Sequence, residues 1–540
     1  MKFRRLGTMI DCSRNAVMKP EAVRKWIDIL AELGYNTLLL YTEDTFQLDT
    51  HPYFGHLRGR YSQQELKEID DYAFSKGIEL MPCIQTLAHL NQIFQWNCYA
   101  PIRDCYDILL AGEEKTYELI DEMFRVISRT FRSKNINIGM DEAHMLGRGQ
   151  YLTKFGLKER TQILLEHLNR VSEIAKKYDL KLSMWGDMFV RMLNASADDM
   201  TAIDVADAVR SRIPDNVDLI YWDYYGCDEE HYNTQMKRHL ACKDGVWFAG
   251  GLWSWTGYAP HNEFSMTATK AAFAACEKNG TQNVLLTMWG DDGADCSPFA
   301  LLPSLYYAAQ LAKGIEDMDT IKKGFAETFG VCFDTFMLLD LPGTPNAEPT
   351  PSQWPAYPNN TDKYMLYSDC FMGKFDGTVR EGDSNAYAAC AEKLAARSPV
   401  PGFDYLFEAA KALCDVLAIK MEIGICTRKA YQEGRAAEML PDYRELLAKL
   451  EVFYAAYRNQ WLIERKPHGF DIQDIRLGGL IQRVKHCIWR LEEYAAEKIS
   501  KIDELEEPVL DHRSTVDETI PGPVCFNSWT KTVTANIIGA

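Results

Sequence analysis

The chain has 540 residues, enough for one large domain and a second beside it. Its 59 Lys and Arg face 77 Asp and Glu, a formal charge of −18, which argues against a nucleic-acid partner and against an anionic membrane surface. Met1-Lys2-Phe3-Arg4-Arg5-Leu6-Gly7 leads into no apolar core, and no apolar run reaches about 18 residues, so a cytoplasmic protein without a membrane segment is expected. Fifteen scattered cysteines without C-x-x-C pairing predict reduced thiols and no structural zinc, and the sequons at Asn194 and Asn359 are then expected to be unused.

Eight apolar runs recur in chain order: 7–13, 37–44, 78–85, 135–142, 180–187, 217–225, 246–255 and 283–292. Between them, 21–33, 63–75, 115–131, 158–177 and 263–278 carry amphipathic helical periodicity. Near-continuous runs such as Thr37-Leu38-Leu39-Leu40-Tyr41 suit strands buried on both faces. Eight strand-helix units in about 310 residues predict an α/β fold, a (β/α)8 TIM barrel, rather than an open doubly wound sheet. Neither a G-x-G-x-x-G nor a G-x-x-x-x-G-K-[ST] loop is present.

Active sites of such barrels lie at the C-terminal ends of the strands. There the sequence collects Asp11 and Arg14; Glu43 and Asp44; His89; Asp141 and Glu142; Trp185 and Asp187; Asp223, Tyr224 and Tyr225; Trp253 and Trp255; and Trp289, Asp291 and Asp292. A strand-end Asp often caps the next helix, and a barrel Trp is usually core. Aromatic residues beside carboxylates at so many strand ends point instead to a sugar pocket, where pyranose C–H faces pack on rings and charged groups bind hydroxyls. The adjacent acids Asp141 and Glu142 are the sharpest signal. Side chains alternate along a strand, so both enter one pocket only if the backbone turns or bulges there.

Asn137-Ile138-Gly139-Met140-Asp141-Glu142 resembles the Asp-Glu signature of family 20 glycoside hydrolases, the β-N-acetylhexosaminidases. Gly7-Thr8-Met9-Ile10-Asp11-Cys12-Ser13-Arg14 resembles their first strand with its sugar-binding Arg, and Trp289-Gly290-Asp291 their last-strand Trp-x-Glu. The likeness spans roughly residues 3–315 and is nearest the cytoplasmic, hexosaminidase D-like branch. Four departures are visible, the first three being Asn137 for the family's commoner His, Met140 for its second Gly, and Asp291 for Glu. The usual Gly-His turn after the third strand is Ala88-His89.

The resemblance implies an exo-β-N-acetylhexosaminidase acting on terminal β-GlcNAc or β-GalNAc, with retention through an oxazolinium intermediate and no cofactor or metal. Family 20 is a substrate-assisted exception among retaining glycosidases, because the 2-acetamido oxygen attacks the anomeric carbon. Glu142 then corresponds to the acid/base, Asp141 to the group that holds the acetamide N–H, and Tyr225, or Tyr224, to the donor to its oxygen. Burial beside tryptophans is expected to push the acid's pKa toward the working pH. Trp185, Trp253, Trp255 and Trp289 would wall the sugar, Arg14, Glu43 and Asp291 bind outer hydroxyls, and His89 support the acids. Two alternatives stand beside this reading. One is a retaining glycosidase with a carboxylate nucleophile, Asp187 or Asp291; the other is a metal-dependent barrel hydrolase built on Asp11, His89, Asp141, His144 and Asp187.

Past the barrel, 342–360 is rich in Pro, Asn and Thr and breaks the pattern. The expected organisation is a catalytic barrel over 1–335, a linker or loop region over 336–375 and an α-helical domain over 376–540. Helical periodicity runs through 385–396, 403–432, 443–463 and 472–502, interrupted by the polar turn 461–470, which either shapes the substrate entrance or is an ordinary interhelical loop. A helical domain beside a barrel mouth suits a homodimer.

Overall fold

The computed structural model describes residues 1–189, 210–345, 359–510 and 526–538. The sequon at Asn194, most of the Pro-rich stretch and part of the C-terminal tail lie outside them.

Eight parallel strands close into a barrel: β1 (Arg5–Asp11), β2 (Thr37–Tyr41), β3 (Glu79–Cys83), β6 (Asn135–Asn137), β7 (Lys181–Trp185), β8 (Val217–Trp222), β9 (Trp247–Gly251) and β10 (Asn283–Met288). Each predicted run contains one barrel strand. β1 pairs with both β2 and β10, which closes the cylinder. Each residue of β2, β9 and β10 is buried, as helix-covered parallel strands require. A two-stranded antiparallel hairpin, β4 (Arg103–Cys105) with β5 (Ile108–Leu109), interrupts the connection from β3 to β6.

Helices Pro20–Leu33, Gln63–Ser75, Glu114–Thr130, Arg160–Lys176 and Asn262–Lys278 fall where periodicity placed them. Ser62 and Glu65 start the second with a reciprocal capping box, each side chain accepting from the other's backbone N–H.

The fourth run departs from expectation. Only Asn135–Asn137 is strand, and β3 meets β6 at the single pair Cys83 and Asn137. Gly139 (φ 71°), Met140 (φ 67°) and Glu142 (φ 52°) stand in the left-handed region, which no strand can accommodate.

The chain divides into two compact units. One holds Met1–Leu252, Met266–Trp289 and Tyr307–Glu316, with all eight barrel strands; the other holds Trp253–Ser265, Gly290–Tyr306 and Asp317–Ala540. Four long helices, Asp383–Ala396, Asp404–Gln432, Leu440–Glu464 and Phe470–Ala495, build the second unit. The last was expected to reach residue 502. It stops at Ala495 because Glu497 turns left-handed (φ 55°), with Ala496 N–H and Lys498 N–H donating back to the Glu492 and Glu493 carbonyls. Within the region read as linker, 338–340 and Thr361–Tyr367 form helical turns. In the 461–470 turn, Arg465 is buried and donates to the Ala294 and Cys296 carbonyls. The described cysteines are free thiols. Among the described residues no helix is long and apolar enough to cross a membrane.

Candidate active site

The left-handed turn after β6 is what brings both acids to the barrel mouth. Asn137 Oδ1 accepts from Gly139 N–H at 2.8 Å, curling the chain out of the strand. A Cβ on Gly139 would sit 2.0 Å from Gln85 Oε1, so this position admits only glycine. Met140 N–H donates to that same Gln85 oxygen at 3.1 Å. The backbone break required for two adjacent carboxylates to share a pocket is therefore present.

Asp141 is buried, and Glu142 keeps 42% of its side chain exposed. This corrects the expectation that burial would act on Glu142: the desolvated acid is Asp141. Gln85 Nε2 donates to Asp141 Oδ1 at 2.7 Å, and His89 Nε2 lies 3.2 Å from Asp141 Oδ2 and 3.8 Å from Glu142 Oε2. Burial would raise the Asp141 pKa, but the His89 charge and the Gln85 hydrogen bond outweigh it and hold the carboxyl below its ordinary range. Burial opposes charge on His89 too, yet Asp141 wins and lifts its pKa to about 9. At neutral pH the pair is an imidazolium against a carboxylate.

The sign of its pH dependence follows. The folded pKa of His89 is raised from 6.5 to about 9, so its stabilisation is complete below about 6.5 and is lost as pH rises through 9. Asp141 is lowered from 3.8, so its contribution is complete above that value and is lost as pH falls through the lowered pKa. The wild-type melting temperature should therefore fall between about pH 6.5 and 9 more steeply than that of His89→Gln; equal slopes over that window in differential scanning calorimetry would refute the pairing.

A second group of residues stands at the ends of β1 and β2. Asp11 accepts from Ser13 N–H and Oγ at 2.8 and 2.7 Å and from Arg14 Nη1 at 3.1 Å, and Arg14 Nη1 is 3.5 Å from Glu43 Oε1. The Arg14 guanidinium also lies 5.1 Å from the Tyr41 ring and 5.3 Å from the Trp289 ring. Tyr41 OH donates to Glu43 at 3.1 Å and accepts from Gln85 Nε2 at 2.9 Å. A continuous chain of contacts thus runs Glu43, Tyr41, Gln85, Asp141, His89. Burial lifts Glu43 to about 7 against the pull of Arg14 and His89.

Aromatic walls complete the mouth. Trp185 is fully buried with its ring 5.9 Å from that of Trp289, which packs edge-on to Tyr41 at 4.9 Å. Tyr224 is buried with its ring stacked 5.3 Å from that of Trp222, while the ring of Tyr225, 5.9 Å from it, belongs to a residue that is 37% exposed. Asp187 accepts from Glu142 N–H at 3.2 Å and from Trp222 Nε1 at 3.4 Å. Asp223 faces elsewhere, toward Tyr221, Tyr225 N–H and His231. Trp253, Trp255 and Asp291 belong to the second unit, where the two indoles lie 4.5 Å apart and Trp253 N–H donates to Ser265 Oγ. Among the described residues no three His, Cys, Asp or Glu side chains are arranged to hold a metal ion.

Sequence reasoning missed the supports. Gln85 ends the third apolar run yet is neutral and matches no motif. Asp104 and Asp107 of the β4–β5 hairpin were equally silent: Asp107 accepts from His89 N–H at 3.1 Å, and Asp104 takes Gly147, Gly149 and Tyr151 N–H, tying down the loop that follows the acids.

A closed parallel barrel with paired acids at a strand end and aromatic walls around them defines a glycosidase-like site. Residues 2–282 match "Glycosyl hydrolase family 20, catalytic domain" and 334–522 match "Glycoside Hydrolase 20C C-terminal domain". The chain belongs to glycosyl hydrolase family 20. It is 26% identical to Hexosaminidase D of Bos taurus over 42% of this chain and 65% of that protein, and 27% identical to Hexosaminidase D of Homo sapiens over 42% and 46%. The chain thus spans less than two thirds of the length of these relatives. Among solved structures it is similar to the β-N-acetylhexosaminidase of Bacteroides fragilis, at 18% identity and TM-score 0.47 over 62% of this chain and 72% of that one. The Flavobacterium johnsoniae chitobiase aligns at 16% identity and TM-score 0.45 over 93% and 74%.

Proposed function

We propose that the protein is a cytoplasmic exo-β-N-acetylhexosaminidase that releases terminal, non-reducing β-GlcNAc or β-GalNAc with retention, using the substrate's own acetamide as nucleophile. The observation that carries this reading is the division of labour between the two acids: Asp141 is buried and held ionised by His89 and Gln85, whereas Glu142 stands open to solvent. A permanently charged, desolvated carboxylate suits an acetamide N–H that gains positive charge as the oxazolinium forms. An accessible carboxyl next to it suits proton delivery to the leaving oxygen and later activation of water.

Tyr225 donates to the acetamide oxygen, and Tyr224 walls the pocket with Trp185 and Trp289. Arg14 and Glu43 bind outer hydroxyls, and His89 keeps Asp141 charged. Asp187 is occupied by a backbone N–H and an indole N–H, which suits an orienting role better than that of a free nucleophile. Phe substitution at each tyrosine in turn separates their roles. A homodimer is part of the proposal, and sedimentation would test it.

The deciding experiment compares 4-nitrophenyl β-N-acetylglucosaminide with the matched β-glucoside. A kcat/KM ratio above about 10³ in favour of the acetamide is expected, since the glucoside removes the attacking group itself. Equal rates would mean that the protein supplies its own nucleophile and would overturn the reading.

A further inference from the structure

Outside the paired acids, the loops that follow β2 and β3 present an aromatic surface. Tyr53, His56 and Trp96 meet with ring centroids 5.2 Å (Tyr53–Trp96), 5.4 Å (His56–Trp96) and 5.9 Å (Tyr53–His56) apart. Tyr53 is 46% exposed and the neighbouring Leu57 71%.

This surface is built rather than merely left uncovered. Phe54 plugs the core against Phe46 at 5.2 Å, while Tyr53 and Leu57 on either side of it turn outward. Leu57 holds a left-handed φ of 66°, uncommon for a residue with a Cβ, in order to stand there. Gly55 (φ 63°) lets the turn approach β2, since a Cβ would lie 2.1 Å from the Asp44 carbonyl oxygen. Arg60 donates to the Pro52 and Phe54 carbonyls. Arg58 ties the turn to Asp44 at 2.9 Å, to Asn15 Oδ1 at 3.2 Å and to the Ser13 carbonyl. Those partners immediately flank Arg14 and Glu43, so the turn is anchored to the same strand ends that carry the candidate hydroxyl-binding pair.

The chemistry of the patch selects its ligand. In a chain whose residues are 25% charged, Leu90-Asn91-Gln92-Ile93-Phe94-Gln95-Trp96-Asn97-Cys98 carries no charged side chain, and Asn91, Gln95 and Asn97 expose their amides. Open rings beside neutral amides match the C–H faces and hydroxyls of an uncharged pyranose. Arg58 and Arg60 of the same turn are engaged by Asp44, Asn15 and backbone carbonyls, and Arg103 lies 5.5 Å over the Phe94 ring, so what the patch leaves open is rings and neutral amides.

The geometry points to a second saccharide-binding site, on Tyr53, His56 and Trp96, that holds the part of a neutral oligosaccharide lying beyond the terminal N-acetylhexosamine. It rests on the hydrolase reading above and adds a determinant of substrate length to it.

The test uses the full-length protein as wild type, Trp96→Ala and Tyr53→Ala, each assayed on 4-nitrophenyl β-N-acetylglucosaminide and on a β-linked N-acetylglucosamine trimer. Each variant should lose up to about tenfold in kcat/KM on the trimer, mostly through KM, and stay within about twofold of wild type on the aryl glycoside. The exposed Tyr53 ring is not needed for folding, so its variant answers even if Trp96→Ala is damaged. Parallel changes on both substrates, or none on the trimer, overturn the second site. Failure of the wild type to cleave the aryl glycoside would overturn the hydrolase reading instead. In that event, trimer binding to Glu142→Gln and to the Glu142→Gln/Tyr53→Ala double variant, by calorimetry, still decides the second site: equal affinities reject it.

Discussion

Glu142→Gln is expected to lower kcat by about 10²–10⁴-fold on a disaccharide, whose leaving alcohol needs a proton, and by much less on a 4-nitrophenyl glycoside, whose phenolate leaves unaided. Stability should move within about 0.5 kcal/mol, because the side chain is 42% exposed and Gln keeps its shape. Asp141→Asn should behave differently. It removes the buried charge facing His89, so rate falls on both substrates and the fold weakens by about 3 kcal/mol through the stranded imidazolium. A Glu142→Gln protein that cleaves the disaccharide at the wild-type rate would remove Glu142 from the acid role.

The second large effect is expected at Gln85. Gln85→Leu keeps the volume but deletes the donors to Asp141 and Tyr41 and the acceptor of Met140 N–H. With the turn at 139–142 released, kcat should fall by about 10²-fold, the cost of a misplacement near 1 Å. The orphaned Met140 N–H alone costs about 1–3 kcal/mol. Losing a hydrogen bond to its charged form also raises the Asp141 pKa, so the acid-side loss of stability should begin at higher pH than in wild type. Gln85→Glu retains the acceptor for Met140 but places a carboxylate against Asp141, and should do no better. Wild-type turnover and an unmoved acid limb in Gln85→Leu would show that Asp141 is positioned by other groups.

The contrast between Glu142 and Gln85 marks what the sequence could say. The eight strands were legible because burial on both faces writes itself as continuous apolar runs, and the acids because charge at the end of such a run is conspicuous. Conformation was not. Nothing about Met140 or Glu142 announces a positive φ, so the fourth run read as a strand through residue 142 when it ends at Asn137. Tyr41 looked like one more apolar residue of β2, although its hydroxyl links Glu43 to Gln85. Asp104 and Asp107 sit in a short hairpin whose strands are too brief to show a period. Supporting groups act through distance, and distance between strands is set by closure of the barrel rather than by spacing along the chain.

That closure has a cost in time. Arg5 pairs with Asn283, so the first strand finds its final neighbour only after nearly 280 further residues have been made. At ribosomal rates of about 5–20 residues per second, β1 waits on the order of 15–55 s with one edge unpaired. Contacts so distant in sequence also form slowly once the chain is complete. During synthesis the exposed backbone of β1 is a template for misassociation, and Arg4 and Arg5 at its start place like charges where two such edges would meet. The residues that begin the barrel thereby bear on its yield in the cell as well as on its geometry.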